Sequence, residues 1–192
     1  MITDQKRPTV ALTGATGFIG PYIISALVDA GYDVRALTRR DQSPIAHVTW
    51  VKGPLDDRHI LQDLISGADH VIHAAGAIKA LSKADFFHIN ETCCTFMAEV
   101  AVQSRVKNFI LLSSLAAREP LLSDYAASKA AGEEAVKSAL SDQIPWTILR
   151  PPAVFGPGDS ETLKIFKSIN AGFAPLLHKD AKAAWIYAED LG

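Results

Sequence analysis

Two side chains four residues apart define the chemistry this chain could perform. Tyr125 and Lys129 lie in Tyr125-Ala126-Ala127-Ser128-Lys129, a stretch that reads as helix. Residues i and i+4 share a helical face, so the ammonium can stand beside the phenol. A free phenol has a pKa of about 10, and an adjacent cation favours its ionised form. A tyrosine tuned in this way can exchange a proton with a substrate alcohol or carbonyl while hydride moves to or from a nicotinamide. Upstream, the apolar run Phe109-Ile110-Leu111-Leu112 ends in Ser113-Ser114, where a hydroxyl could hold a substrate oxygen or bond its own backbone. A Tyr-x-x-x-Lys pair alone also occurs on solvated helix faces. Its weight here comes from its place in the chain.

Far ahead of this pair lies a seat for a dinucleotide. Thr9-Val10-Ala11-Leu12 reads as a strand, Thr13-Gly14-Ala15-Thr16-Gly17-Phe18-Ile19-Gly20 follows, and the next stretch carries Ile23, Ile24, Leu27 and Val28 on one helical face. Gly14 permits the tight turn, Gly17 lets backbone N–H groups approach a phosphate, and Gly20 lets the helix lie close to the sheet. The N–H groups of the first helical turn, which lack helical partners, then face the pyrophosphate. Thr16, Phe18 and Ile19 are assigned to the cofactor together with the glycines. An ordinary strand-to-helix turn also uses glycine, but three at this spacing in this context point to phosphate binding.

The spacing Gly-x-x-Gly-x-x-Gly resembles the short-chain dehydrogenase/reductase superfamily, and Gly14 to Gly20 is similar to its extended branch. That branch includes nucleotide-sugar epimerases and dehydratases, 3β-hydroxysteroid dehydrogenases and dihydroflavonol-type reductases. Arg150-Pro151-Pro152-Ala153-Val154-Phe155-Gly156-Pro157 resembles the branch's Arg-Pro-x-x-Val-Tyr-Gly-Pro, and the closing Trp185 to Gly192 resembles Val-His-Val-Asp-Asp-Leu-Ala. The resemblance implies roles. Tyr125 becomes the acid/base, Lys129 also binds the nicotinamide ribose, and Ser114, with Ser113 as fallback, holds the substrate oxygen. Ala74, Ala75 and Gly76 lie beside the cofactor ribose, and Pro151 and Val154 lie on the carboxamide side of the nicotinamide. Asn90 ties its helix to the active-site strand, and a homodimer often forms through this helix and the Tyr-bearing one.

Three departures from the family bear on cofactor and substrate. The slot where an NAD-binding member places an acid holds Thr38, followed by Arg39. An acid there would repel a 2′-phosphate, whereas Arg39 could bind one, so NADP is preferred over NAD. Where the family reads Gly-Asp-Leu, this chain has Gly53-Pro54-Leu55, and the adenine contact passes to Leu55 or the backbone. Only Leu115 to Asp124 separates Ser114 from Tyr125, and the Tyr-Gly of many nucleotide-sugar enzymes is missing. The short loop removes substrate-facing residues, and the missing Tyr-Gly counts against a sugar-nucleotide substrate.

The elements that must position these residues alternate as short β-like runs and helical patterns, the sign of βαβ units and a buried parallel sheet. Strands are expected at Asp33 to Leu37, Val48 to Val51, Val71 to His73 and Trp146 to Arg150, besides the two named above. One long helix is expected from Phe86 to Ser104, with Phe86, Ile89, Cys93, Phe96, Met97 and Val100 near one face. His73 has no second ligand at coordinating spacing and reads as a packed histidine. Cys93 and Cys94, the only cysteines, form neither a disulfide framework nor a metal site. No metal is expected.

With 192 residues, 48% hydrophobic and 21% charged, the chain has the composition of a globular protein. A formal net charge of −2 offers no footprint for nucleic acid or an anionic membrane. Met1 to Pro8 lacks an apolar signal-peptide core, and no apolar run approaches the roughly 20 residues of a membrane span. A cytoplasmic location is the default expectation. The expected fold is α/β, a Rossmann-type doubly wound parallel sheet over residues 1–158, with residues 159–192 beginning a C-terminal substrate-binding region that looks truncated. The expected function is NAD(P)-dependent interconversion of an alcohol and a carbonyl on a small organic substrate. The alternatives are a nucleotide-sugar epimerase or dehydratase with tightly held NAD, and a non-catalytic NAD(P)-binding sensor or assembly subunit.

Overall fold

The structure is a computed structural model that describes residues 7–173 and 182–192; the sequence also predicts a loop with Pro175, which lies outside them. Six parallel strands form the main sheet: β1 (Thr9–Thr13), β2 (Asp33–Thr38), β3 (Val48–Lys52), β4 (His70–His73), β5 (Asn108–Leu112) and β6 (Trp146–Leu149). Their spatial order is β3-β2-β1-β4-β5-β6. The order reverses between β1 and β4, and in such sheets the carboxyl ends of the strands on either side of the reversal open a ligand crevice.

Side chains alternate between two cores. Ala11, Val71, Phe109 and Leu111 face α2 (Arg58–Ile65), α4 (Cys93–Ser104) and α5 (Asp124–Leu140), while Leu12, Val34 and Ala36 face α1 (Gly20–Asp29) through Ile23 and Ile24. Both faces of the inner strands β1 and β5 are therefore largely dry, whereas β6 at the edge is mostly exposed. Dryness on both faces is why β1 and β5 appear in the sequence as unbroken apolar runs.

The long helix differs from the single element expected from Phe86. The helical segment starts earlier, as α3 (Lys83–Phe87), where the Ser82 hydroxyl accepts from the Asp85 N–H. It then widens into a π turn at His88–Thr92 before continuing as α4. Of the expected stripe, Cys93, Met97 and Val100 are buried, and the face differs chiefly around the wider turn. Asn90, Cys93, Cys94, Met97 and Ala98 are enclosed, while Phe86, Ile89 and Phe96 are only half-buried. Burial pushes the Cys93 and Cys94 thiols up to about 12 and about 11, so both are inert.

Helix α5 is rich in Ala, Lys and Glu, which favour helix, and begins where the Ser123 hydroxyl accepts from the Ala126 N–H. Gly132 lets it press against the π turn, because a Cβ there would collide with the Asn90 carbonyl oxygen. Beyond β6, β7 (Ala153–Phe155) pairs in parallel with β8 (Trp185–Tyr187), on either side of α6 (Ser160–Asn170). The division expected after Gly158 thus falls within a paired unit. The following α7 (Ala188–Leu191) packs near α1, and the Tyr22 hydroxyl donates to the Pro157 carbonyl. Among the described residues, no helix is long and apolar enough to cross a membrane.

Candidate functional site

The turn between β1 and α1 has the shape of a phosphate seat. Gly14 adopts a φ of +76°, and a Cβ there would lie 2.6 Å from the Ala74 carbonyl carbon. At Gly20 a Cβ would collide with the Ala15 carbonyl. The Gly17 N–H donates to the Gly14 carbonyl, closing the loop upon itself. No side chain caps α1, whose N-cap is Ile19; Pro21 carries no N–H and the Tyr22 N–H donates to the Ile19 carbonyl, so in the first turn it is the Gly20 N–H that remains available to an anion. A dinucleotide fits this cradle.

From the turn a cleft of about 570 Å³ runs along the strand ends. Gly14, Thr16, Gly17, Arg39, Leu55, Ala75 and Gly76 line it, bringing together seven of the residues assigned to the cofactor. Phe18, Ile19, Gly20, Ala74, Pro151 and Val154 are not on this lining; Phe18 instead stacks edge-on against Tyr22, and Pro151 accepts a backbone bond from Leu115. The cleft also gathers Asp56, Lys79, His88 and Cys93, which had no motif to mark them. His88 Nε2 lies 3.2 Å from Asp56 Oδ2, linking the π turn to the loop after β3.

At the β2 end, Thr38 is occupied by its own turn. Its hydroxyl donates to the Arg40 carbonyl at 2.7 Å and accepts from the Arg40 N–H. Arg39 is thereby held on the cleft, exposed and without an ion-pair partner among the described residues. Between β1 and β4, Thr13 Oγ1 lies 2.9 Å from His73 Nδ1 and accepts from the Ala75 N–H. His73 is fully enclosed, and burial, aided by the Lys129 charge, lowers its pKa to about 3. It is packed in the core, with its Nε2 unpartnered among the described residues. Among the described residues no group of His, Cys, Asp and Glu is placed to hold a metal.

Tyr125, Lys129 and Ser114 occupy the other side of the strand-order reversal. Lys129 is buried and donates from Nζ to the Leu112 carbonyl at 3.0 Å. Burial lowers its pKa, opposed by Cys94 and Glu133. A Cβ on Gly76 would sit 3.5 Å from this ammonium, so the far end of the cofactor cleft abuts Lys129. Tyr125 is half-buried, its ring 6.1 Å from that of Phe86. The two serines are distinct. Ser113 Oγ donates to Glu133, whereas Ser114 Oγ accepts only from the Ala116 N–H of the following 3-10 turn (Leu115–Arg118). The Ser114 O–H can still donate to a substrate oxygen.

Asn90 anchors this region differently from the tie that the resemblance implies. Its carboxamide accepts from the Ala77 N–H at 2.8 Å, donates to the Ala77 carbonyl, and donates to Ser128 on α5. It fastens the loop after β4, not a strand, to the tyrosine helix. The π turn, which the sequence pattern does not signal, aims it there.

Strand order and glycine seat define a dinucleotide-binding α/β protein of the doubly wound class. Residues 10–192 match the family described as NAD dependent epimerase/dehydratase, and the chain belongs to that family. It is 43% identical over 198 aligned positions to a ceramide reductase of Caulobacter vibrioides, covering 99% of this chain and 60% of that protein. It is 24% identical to a 3-beta-hydroxysteroid dehydrogenase of Mycolicibacterium neoaurum, over 91% of this chain and 55% of that one. The fold is also that of the Bordetella bronchiseptica enzyme WbmH solved with NAD+, with a TM-score of 0.84 at 21% identity, covering 97% of this chain and 70% of WbmH. The chain therefore spans a little over half the length of these two curated relatives.

Proposed function

We propose that this chain carries the cofactor seat and acid–base group of an NADP-preferring reductase that converts a ketone on a long-chain lipid to an alcohol. The observation that carries the reading is the junction at Gly76, where the cofactor cleft meets the buried Lys129 on the helix that bears Tyr125. The nicotinamide, when bound, supplies the hydride. Lys129, held by the Leu112 carbonyl, places a positive charge on the Tyr125 face of α5 and stabilises the phenolate left when Tyr125 gives its proton to the substrate oxygen. Ser114 donates a hydrogen bond to that oxygen and supports the charge that develops there. Arg39 meets the 2′-phosphate, the feature that sets NADP apart from NAD. Leu55 and its loop border the adenine.

Two observations favour a lipid. The first is the 43% identity to a protein named as a ceramide reductase. The second is a set of apolar side chains in the loops ahead of α3 and α5: Ile78, Leu81, Leu121 and Leu122 are all largely exposed. Leu81 stands two residues before Lys83, whose ammonium lies 3.6 Å from Asp124, and Leu122 stands two residues before Asp124. The Lys83–Asp124 pair brings the starts of α3 and α5 together, and the two leucines lie in the segments just ahead of them. Burying four such side chains against hydrocarbon would favour an acyl chain over a sugar nucleotide. The test is to supply NADPH with a long-chain β-keto amide or, separately, a UDP-hexose. Consumption of NADPH with the lipid alone is expected. Epimerisation of the UDP-hexose without net cofactor consumption would replace this reading.

A further inference from the structure

Tyr125 and Lys129 have a third residue in register on α5. Glu133, one further turn along, has a side chain only 1% exposed, which is uncommon for a carboxylate unless it is paired. It is fully engaged. Arg150 donates from Nε to Oε1 at 2.9 Å and from a terminal nitrogen to Oε2, and Ser113 donates to Oε1 at 2.5 Å. Burial pushes the Glu133 pKa up, but the hydrogen bonds from Arg150 and Ser113 prevail and hold it below the usual carboxylate range.

The three partners come from three elements, and each is a neighbour of an assigned site residue. Ser113 precedes Ser114 at the end of β5, Arg150 precedes Pro151 at the end of β6, and Glu133 follows Lys129 by one turn of α5. Backbone bonds extend the β5–β6 ladder past both strand ends, from the Ser113 N–H to the Leu149 carbonyl and from the Leu115 N–H to the Pro151 carbonyl. Ser114 lies between these two bonds in extended conformation, so its side chain points away from that of Ser113. Glu133 therefore holds one hydroxyl out of the site and leaves the other free to enter it.

We propose that Glu133 is a positioning residue for the reaction: clamped by Arg150 and Ser113, it fixes the ends of β5 and β6 against α5 and thereby sets Ser114 and Lys129 in reactive register. The proposal rests on the ketone-reductase reading for its kinetic consequence, but its structural consequence is separable. If the clamp were only a contribution to stability, replacing the pair by apolar residues of similar size would restore stability and function together. Such replacement of a buried pair is often close to neutral for folding.

The experiment uses Glu133→Met/Arg150→Met and, separately, Ser113→Ala, measuring melting temperature, NADPH affinity, kcat for the long-chain ketone and the fluorescence of bound NADPH. The double variant is expected to melt within a few degrees of the parent, to bind NADPH within about threefold, and to lose about 100-fold in kcat, as follows from a displacement on the order of 1 Å. Its bound NADPH should show emission moved toward that of free cofactor. Ser113→Ala leaves no charge unpaired and should lose about tenfold in kcat with unchanged KM for NADPH. A double variant with parental melting, kcat and emission overturns the proposal. If the double variant does not fold, parental kcat and emission in Ser113→Ala overturn it. If the parent reduces no ketone, the reductase reading fails, and the emission of bound NADPH alone decides the clamp: a shift in either folded variant supports it and parental emission refutes it.

Discussion

The two sides of the sheet use opposite means. On the β3-β2-β1 side the site is built from backbone and from missing side chains: Gly14 and Gly20 sit where any Cβ would strike neighbouring main chain, and α1 starts without a side-chain cap. On the β4-β5-β6 side it is built from side chains that hold one another across long sequence separations, such as Asn90 with Ser128 and Glu133 with Arg150. The first kind of site tolerates no added atom. The second tolerates no lost partner. A pyrophosphate needs only N–H groups and room, whereas proton transfer needs particular groups held to a fraction of an ångström.

This contrast can be broken first at Tyr125. Tyr125→Phe removes the acid/base and nothing that faces the glycine seat, so kcat should fall about 10³-fold with NADPH affinity within about twofold. Loss of binding at preserved turnover would dissolve the separation between the two sides. On the other side, Gly14→Ala should cost about 3 kcal/mol of stability, lowering Tm by on the order of 10 °C, because a positive φ and a backbone collision act together. Thermal melting checks this, and a wild-type Tm would show that the turn can relax.

Arg39→Ala should weaken NADPH by about 10- to 100-fold and NADH hardly at all, the range for losing a charge-assisted contact to phosphate. Equal losses for both nucleotides would remove Arg39 from its assignment. The last test lies at the boundary between the two sides and is read from a slope, not from a single value. His73 is held at a pKa of about 3, below its ordinary value of 6.5, so below pH 6.5 the unfolded chain binds a proton that the folded chain refuses. Its contribution to stability is intact above pH 6.5 and is lost as pH falls toward 3, by up to about 1.4 kcal/mol per unit. His73→Gln should flatten this part of the stability curve measured by denaturant titration. An unchanged slope would assign the acid sensitivity to other groups.

The two sides also differ in how far the sequence discloses them. Glycine has no substitute where a Cβ collides, so Gly14 and Gly20 announce the seat, and buried parallel strands announce themselves as apolar runs. Arg39, Leu55, Ala75 and Gly76, assigned from the resemblance and their places at strand ends, line the cleft. Asn90 and Glu133 were harder. Their partners lie 38 and 17 residues away at Ser128 and Arg150, and no local spacing encodes such contacts. The π turn added to the difficulty: Cys93, Met97 and Val100 of the expected stripe are buried, but around the turn Asn90 is enclosed while Phe86 and Ile89 are only half-buried. His88 and Lys79 joined the cleft through tertiary folding of loops that carry no motif of their own.

The most direct test is a calorimetric titration of the chain with NADPH and, separately, NADH. NADPH is expected to bind at least about tenfold more tightly, with the preference abolished in Arg39→Ala. Equal affinity for the two nucleotides, or binding of neither, would contradict a seat built from the glycine turn and completed at Arg39.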